Sequence, residues 1–412
     1  MTLTQAPQPQ VPKYVRFALI GGTYLFMSAW FIAYSRSAHH TMVYAGFLGP
    51  ALIHLLFCFW NQDPTIKALK SPLFISLGLF LGYMVISTFW SDNADSFGFY
   101  AKRITQTLVF VYGVYIIARF EPRHFWRSIL CALALCGPWL AANLLFYPET
   151  AFASGRFKGA NAGLHYLLTG AMLGSFFVLG TCHLLQSLER RGMKARSLLL
   201  LAALGAVFYG VLLTESRSAL LALALTAVFW ALSSGQIREF KFVALAAVVA
   251  IGFLLTPYID VFISRGFSNR FEIWQAAVDW IMQRPWFGHG FDALFVLPIS
   301  NGEELYDPHN IHLEILYDGG LVGGLLWTGF LATVAWRGWV GRHSALGKCV
   351  LALLIYSVSV KFFESRGILS RPTEFWYLLW LCAGMAMACK GNEEELANTH
   401  SGEPALETAS AE

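Results

Sequence analysis

The feature that most constrains this chain is a succession of long apolar stretches parted by short polar ones. Crossing a bilayer core takes roughly 17–25 apolar residues in a helix. Twelve segments approach that length: 14–34, 42–60, 72–90, 104–118, 124–147, 162–186, 197–213, 218–234, 241–257, 311–336, 348–362 and 374–389. In lipid every backbone polar group needs a partner within its own span, so these segments are expected to be helices. The predicted class is all-α, a polytopic integral membrane protein of about twelve transmembrane helices with a helical loop between spans nine and ten. Composition agrees, with 56% hydrophobic and 13% charged residues in 412. A soluble domain carries roughly 25% charged residues, and this sequence folded in water would expose large apolar patches. The net charge of +4 is dispersed in short clusters, which argues against a nucleic-acid partner.

All seven cysteines (Cys58, Cys131, Cys136, Cys182, Cys349, Cys382, Cys389) lie in apolar segments, so neither a disulfide framework nor a thiolate metal site is expected. The first apolar stretch is longer than a signal-peptide core of roughly 7–15 residues and reads as an uncleaved span. Lys and Arg are in modest excess in the loops around 13–16, 67–70, 119–123, 190–196, 238–241 and 337–348. That excess places both termini in the cytoplasm. The opposite loops still hold a dozen cations, among them Arg36, Lys102, Arg103, Arg156, Lys158, Arg217, Arg265, Arg270, Arg284, Lys361, Arg366 and Arg371. Residues 1–390 are read as one membrane domain that includes the outer loop 258–310. The acidic tail 391–412 is expected to be disordered in the cytoplasm.

The outer loop 258–310 contains an amphipathic helix. Asn269 can cap it with Glu272 as partner, Phe271, Trp274, Val278 and Ile281 form an apolar stripe, and Pro285 with Gly288–Gly290 ends it. Such a helix either lies on the membrane surface or covers a cavity between the spans. Four outer segments could carry chemistry. Glu215, Ser216 and Arg217 form a turn between two apolar spans, where Arg217 suits a phosphate fork and an ordinary salt-bridged turn is the alternative. Arg265 and Arg270 precede the amphipathic helix, near an N-terminus that favours anions; solvated arginines are the alternative. Asp307, His309, Asn310 and His312 lead into span ten, where His309 can take a proton near neutrality and a carboxylate can orient it. His309 and His312 also share a helix face, as a metal site would require with Asp307 or Glu314, but no third ligand stands at a telling spacing. Arg156, Lys158 and Asn161, with Gly155 and Gly159, suit a polar head group or a plain turn. Gly319, Gly320, Gly323 and Gly324 read as small residues for close helix packing, and Asp92 and Asp95 as solvated loop residues.

Taken in order, these motifs resemble the O-antigen ligase and polymerase superfamily. The resemblance rests on His309–Asn310 followed by Gly320 and Gly323, on Ser216–Arg217–Ser218, and on Asn269–Trp274 running on to Pro285 and Gly288. Arg156, Gly159 and Asn161 add a looser pattern, as does Trp90–Ser91. At the position after Gly323, where many ligases carry threonine, stands Gly324. The resemblance implies a GT-C-like glycosyltransferase of the inner membrane that works without metal or other cofactor and uses no nucleotide sugar. It implies transfer of a glycan from undecaprenyl diphosphate to lipid A–core at the periplasmic face, in lipopolysaccharide biosynthesis. His309, Arg217 and Arg270 would then be catalytic. Arg265, Arg156, Lys158, Asn161, Glu215, Ser216, Asn310 and His312 would bind the diphosphate or glycan. A polymerase that joins repeat units is the near alternative. A transporter of lipid-linked glycan is the alternative of another class, disfavoured because the charges gather at the outer ends of the spans and no repeat is evident.

Overall fold

The computed structural model describes residues 9–33, 35–153, 155–159, 165–234, 270–298, 304–364, 368–372 and 375–389. Among these residues, seven helices are long and apolar enough to cross a membrane. They are α1 (Lys13–Ile32), α2 (Arg36–Trp60), α3 (Pro72–Trp90, its last turn 3₁₀), α5 (Pro122–Phe146), α6 (Tyr166–Arg190), α7 (Ala195–Leu213) and α10 (Ile311–Val340). Four more apolar helices join them: α4 (Phe97–Phe120), α8 (Arg217–Ser234), α11 (Ala345–Lys361) and α12 (Tyr377–Ala388). The chain is therefore a polytopic all-helical membrane protein, with eleven of the twelve expected segments helical among the described residues. Segment 241–257 lies outside them, as do Asn161, Arg265, Asn269 and the tail 391–412. The amphipathic helix is α9 (Arg270–Gln283), and Leu297–Pro298 pairs with Glu304–Leu305 in a two-residue antiparallel ladder.

Burial sorts these helices as lipid and protein would. Leu52, Ile53 and Leu56 of α2, Leu79 of α3, and Leu198, Leu199 and Leu201 of α7 are exposed, as apolar side chains facing acyl chains should be. In α12 every residue from Tyr377 to Ala388 is buried, the pattern of a helix enclosed by other helices. It packs on α4 and α11, and α11 also packs on α6, α8 and α10. Lipid supplies no hydrophobic drive between helices, so close packing and interhelical hydrogen bonds hold them together. The Tyr356 hydroxyl of α11 donates to the Ala171 carbonyl at 2.9 Å, and Ser175 Oγ lies 2.7 Å from Tyr377 Oη. Gly174 makes the first contact possible, since a Cβ there would fall 2.0 Å from the Tyr356 oxygen.

The structure corrects two boundaries of the sequence reading. The segment expected over 104–118 is a 24-residue helix beginning at Phe97. Lys102 and Arg103 look like loop residues by hydropathy, but Arg103 is buried, its Nη1 3.2 Å from Tyr44 Oη and from Gln106 Oε1. The buried stripe of α9 is Ile273, Ala277 and Ile281, the last two packed with Phe295 and Tyr317, while Phe271 and Val278 are exposed. The helix has two apolar faces, and the one carrying a small alanine takes the close contact with α10.

Candidate functional site

Span α10 is broken near its start. Gly320 has φ 60° and ψ −160°, a backbone conformation essentially confined to glycine. The break removes the helical bonds that would join Tyr317 O to Leu321 N and Asp318 O to Val322 N. The segment after α9 takes all four groups. His289 N and Gly290 N donate to Tyr317 O and Asp318 O, both at 2.8 Å, while Leu321 N and Val322 N donate to Pro285 O (2.8 Å) and Trp286 O (3.2 Å). Tyr83 Oη donates to Gly319 O at 2.7 Å, and the His289 ring stacks on Tyr317 at 4.5 Å. Gly320 is thus a docking point for the outer segment, a different task from the helix packing expected of it. Gly319 and Gly323, by contrast, do pack against a neighbouring span, where each faces the Tyr83 ring of α3. The same segment is held to the end of α3: Phe291 N donates to Ser87 Oγ at 3.0 Å, and Leu294 N reaches Asp92 Oδ1 at 3.4 Å. Asp92 is exposed, as read from sequence, and also touches this segment.

This docking fixes both ends of a charged cluster. At the start of α9, Arg270 Nη2 meets Glu364 Oε1 at 3.2 Å, and its guanidinium lies 5.4 Å from the Phe363 ring centre. One turn on, Trp274 packs edge-on against Phe362 at 5.3 Å. Just before α10, Asn310 is the helix cap. Its Oδ1 accepts from His312 N (2.9 Å) and Leu313 N (3.3 Å), satisfying amides that the first turn leaves open. His309 takes left-handed φ, 47°, and Asp307 Oδ1 receives both its backbone N–H and its ring Nδ1, each at 2.8 Å. A carboxylate on Nδ1 selects the tautomer whose Nε2 holds a free lone pair. The Asp307 bond raises the His309 pKa above 6.5, Glu364 adds to it, and burial and Arg270 oppose it. Burial raises the Glu364 carboxyl, while Arg270 and His309 pull it down. His309, Asp307, Glu364 and Arg270 thus act on one another as a single cluster.

A second group lies around the turn between α7 and α8. Arg156 Nε meets Glu215 Oε2 at 3.4 Å, and its guanidinium sits 4.8 Å from the Tyr166 ring centre. Phe157 N donates to Leu213 O at 3.1 Å, and Lys158 N to Ala151 O at 2.9 Å, which hold this loop against the turn. Ser216 is fully buried, with its Oγ accepting from Ala219 N at 3.4 Å, so it caps α8 from inside. Arg217 opens α8, which packs along α11, the helix that ends at Lys361 just before Glu364. Because α8 leaves the loop face and α11 returns to it, Arg217 and Glu364 are set on one face.

Of the sequence candidates, His309 and Arg270 are brought together, and Arg156 and Glu215 pair with each other. Asn310 and Ser216 are caps. His312 is committed to packing, its Nδ1 accepting from Trp327 Nε1 at 3.0 Å, which takes that nitrogen away from a metal or ligand. Among the described residues no group of three His, Cys, Asp or Glu side chains is arranged to hold a metal ion. Glu364 was not anticipated. Its signal was the pair of opposite charges, Lys361 and Glu364, directly after an apolar span.

Comparison with known proteins gives the chain's family. Residues 202–328, which span the Arg217 turn, α9 and the His309–Gly323 motif, match the family described as O-Antigen ligase. The O-antigen ligase of Pseudomonas aeruginosa is 31% identical over 368 residues, which cover 87% of each chain. The General O-oligosaccharyltransferase of Acinetobacter baylyi is 23% identical over 235 residues, 50% of this chain and 40% of that protein. With the first relative matched at that identity along nearly its whole length, this chain belongs to the O-antigen ligase family.

Proposed function

We propose that this protein transfers O-antigen polysaccharide from undecaprenyl diphosphate to lipid A–core, with both termini cytoplasmic and the charged face on the periplasmic side of the inner membrane. The observation that carries the reading is His309, held by Asp307 with Nε2 left to accept a proton, within electrostatic reach of the Arg270–Glu364 pair. A sugar hydroxyl is a poor nucleophile until a base takes its proton, and a positioned base contributes roughly 10²–10⁴-fold. In the proposed step, the acceptor oxygen attacks the anomeric carbon and its proton passes to His309 Nε2. The bond from that carbon to the diphosphate oxygen breaks, and undecaprenyl diphosphate leaves. Arg217 and Arg270 neutralise the charge developing on the diphosphate. A single displacement inverts the anomeric centre. Arg265, Arg156, Lys158 and Asn161 are assigned to the glycan or diphosphate. Glu215 is assigned to holding Arg156, and Asn310 to holding His309 at the head of α10.

The test is transfer by purified protein given a glycan on undecaprenyl diphosphate and lipid A–core, in EDTA. Glycan on lipid A–core supports the reading. Longer chains on the lipid carrier with lipid A–core unmodified would assign a polymerase instead.

A further inference from the structure

Span α10 is longer than a bilayer needs. Beyond the break at Gly320, Leu321–Val340 is about 20 residues of helix, which at roughly 1.5 Å each rises about 30 Å, the thickness of a hydrocarbon core. The far end of that stretch has the marks of a membrane boundary. Trp336 and Trp339 are exposed, the Arg342 guanidinium lies 4.6 Å from the Trp339 ring centre, and Arg337 donates to the Cys389 carbonyl. Tryptophan gathers at the level of lipid head groups, so the other boundary falls one hydrocarbon thickness away, at Gly320. There the exposed rings are Trp286 and Phe287. They belong to the outer segment, and the bonds from Leu321 N to Pro285 O and from Val322 N to Trp286 O pin them at that level. Between the two aromatic levels Leu321 and Leu325 of α10 are exposed, as side chains facing lipid should be.

Helix α9 leads into those rings, and its residues fall on three sides. Ile273, Ala277 and Ile281 are buried against protein. Glu272, Asp279 and Gln283 are polar and exposed. Between these two sides, at helical spacing, Phe271, Val278 and Met282 form an apolar stripe that is 78%, 45% and 67% exposed. Met282 stands one turn before Trp286, so the stripe runs on into the exposed rings and through them to Leu321 and Leu325 of the span. Protein, lipid and water each have a matching side of this helix. A helix of that kind lies in the plane of a membrane surface, its apolar side buried about 5–10 Å into the boundary between head groups and acyl chains.

We propose that α9 and the turn to Phe287 lie in the bilayer surface that bounds α10 at Gly320, and that membrane lipid is the partner of Phe271, Val278, Met282, Trp286 and Phe287. The test is a nitroxide spin label on the full-length protein in nanodiscs of phosphatidylglycerol and phosphatidylethanolamine, read by power saturation with oxygen and with a neutral nickel chelate. Labels are placed at Val278→Cys and Met282→Cys, and at Asp279→Cys and Gln283→Cys on the polar side. Each variant carries Cys131→Ser, since Cys131 is exposed and the other six cysteines are buried. Labels at 278 and 282 should be more accessible to oxygen than to nickel, and labels at 279 and 283 the reverse. Nickel-dominated labels at 278 and 282 would mean that the stripe faces water, and low accessibility to both reagents would mean that protein covers it. Either result would overturn the proposal. Oxygen-dominated labels at all four positions would place the helix inside the bilayer and overturn its surface position.

Discussion

Gly320→Ala should undock the outer segment from α10. Any residue but glycine held at φ 60°, ψ −160° costs about 1–3 kcal/mol. A Cβ at this position would lie 2.5 Å from the carbonyl carbon and oxygen of Trp286 and 2.6 Å from Gly288 N. These are backbone atoms, which cannot swing aside as a flexible side chain can. The segment must move, and the four backbone bonds to Tyr317, Asp318, Leu321 and Val322 go with it, each worth about 1 kcal/mol. Gly288 offers no slack, because a Cβ there would likewise collide with the backbone at Asp318 and Gly320 N. Taking only about 3 kcal/mol of the total, at roughly 1.4 kcal/mol per factor of ten, the docked state loses about 10² in population. Hydrogen–deuterium exchange reads this directly: amides 289–290 and 321–322 should exchange about 10²-fold faster. Gly329→Ala, in the same helix with open space at its Cβ, is the control and should leave exchange unchanged. Wild-type protection of those four amides in Gly320→Ala would refute the docking argument.

Three further outcomes follow from the cluster. Since the Asp307 bond holds the His309 pKa above 6.5, and the base must be neutral, kcat/KM should rise with pH through a midpoint above 6.5. Asp307→Asn should move that midpoint down and lower kcat by about 10²-fold or more; a pH–rate profile checks both. Arg270→Ala removes the cation from Glu364, which is 5% exposed, and breaking such a buried pair costs roughly 3–5 kcal/mol. Thermal unfolding in detergent should show a smaller loss for Arg270→Ala with Glu364→Gln than for Arg270→Ala alone. Asn310→Ala gives up a cap worth about 1 kcal/mol, and transfer assays should show a larger proportional loss of rate, because the cap also sets the lead-in that carries His309.

The spans were legible because bilayer thickness fixes a run length that composition reveals at once. Hydropathy failed at 97–103, where it cannot distinguish a cation in a loop from Arg103 folded onto Tyr44 and Phe99. The motif residues His309, Arg270 and Arg217 were singled out because charge is rarely kept at a membrane boundary without a task. Their partners were harder to see. Glu364 meets Arg270 across 94 residues, a separation no local pattern encodes. Gly320 carries the same letter as Gly319, and only the backbone angle separates a hinge for docking from a packing surface. In α9 both apolar faces are present in the sequence, and what selects between them is Tyr317 on another helix.

The claim on which the account turns is that His309 takes the acceptor's proton. Single-turnover transfer by purified wild-type and His309→Ala protein, with donor binding measured in parallel, tests it most directly. The account expects His309→Ala to bind the lipid diphosphate as wild type does and to transfer at least about 10²-fold more slowly. Transfer at the wild-type rate by folded His309→Ala would contradict it.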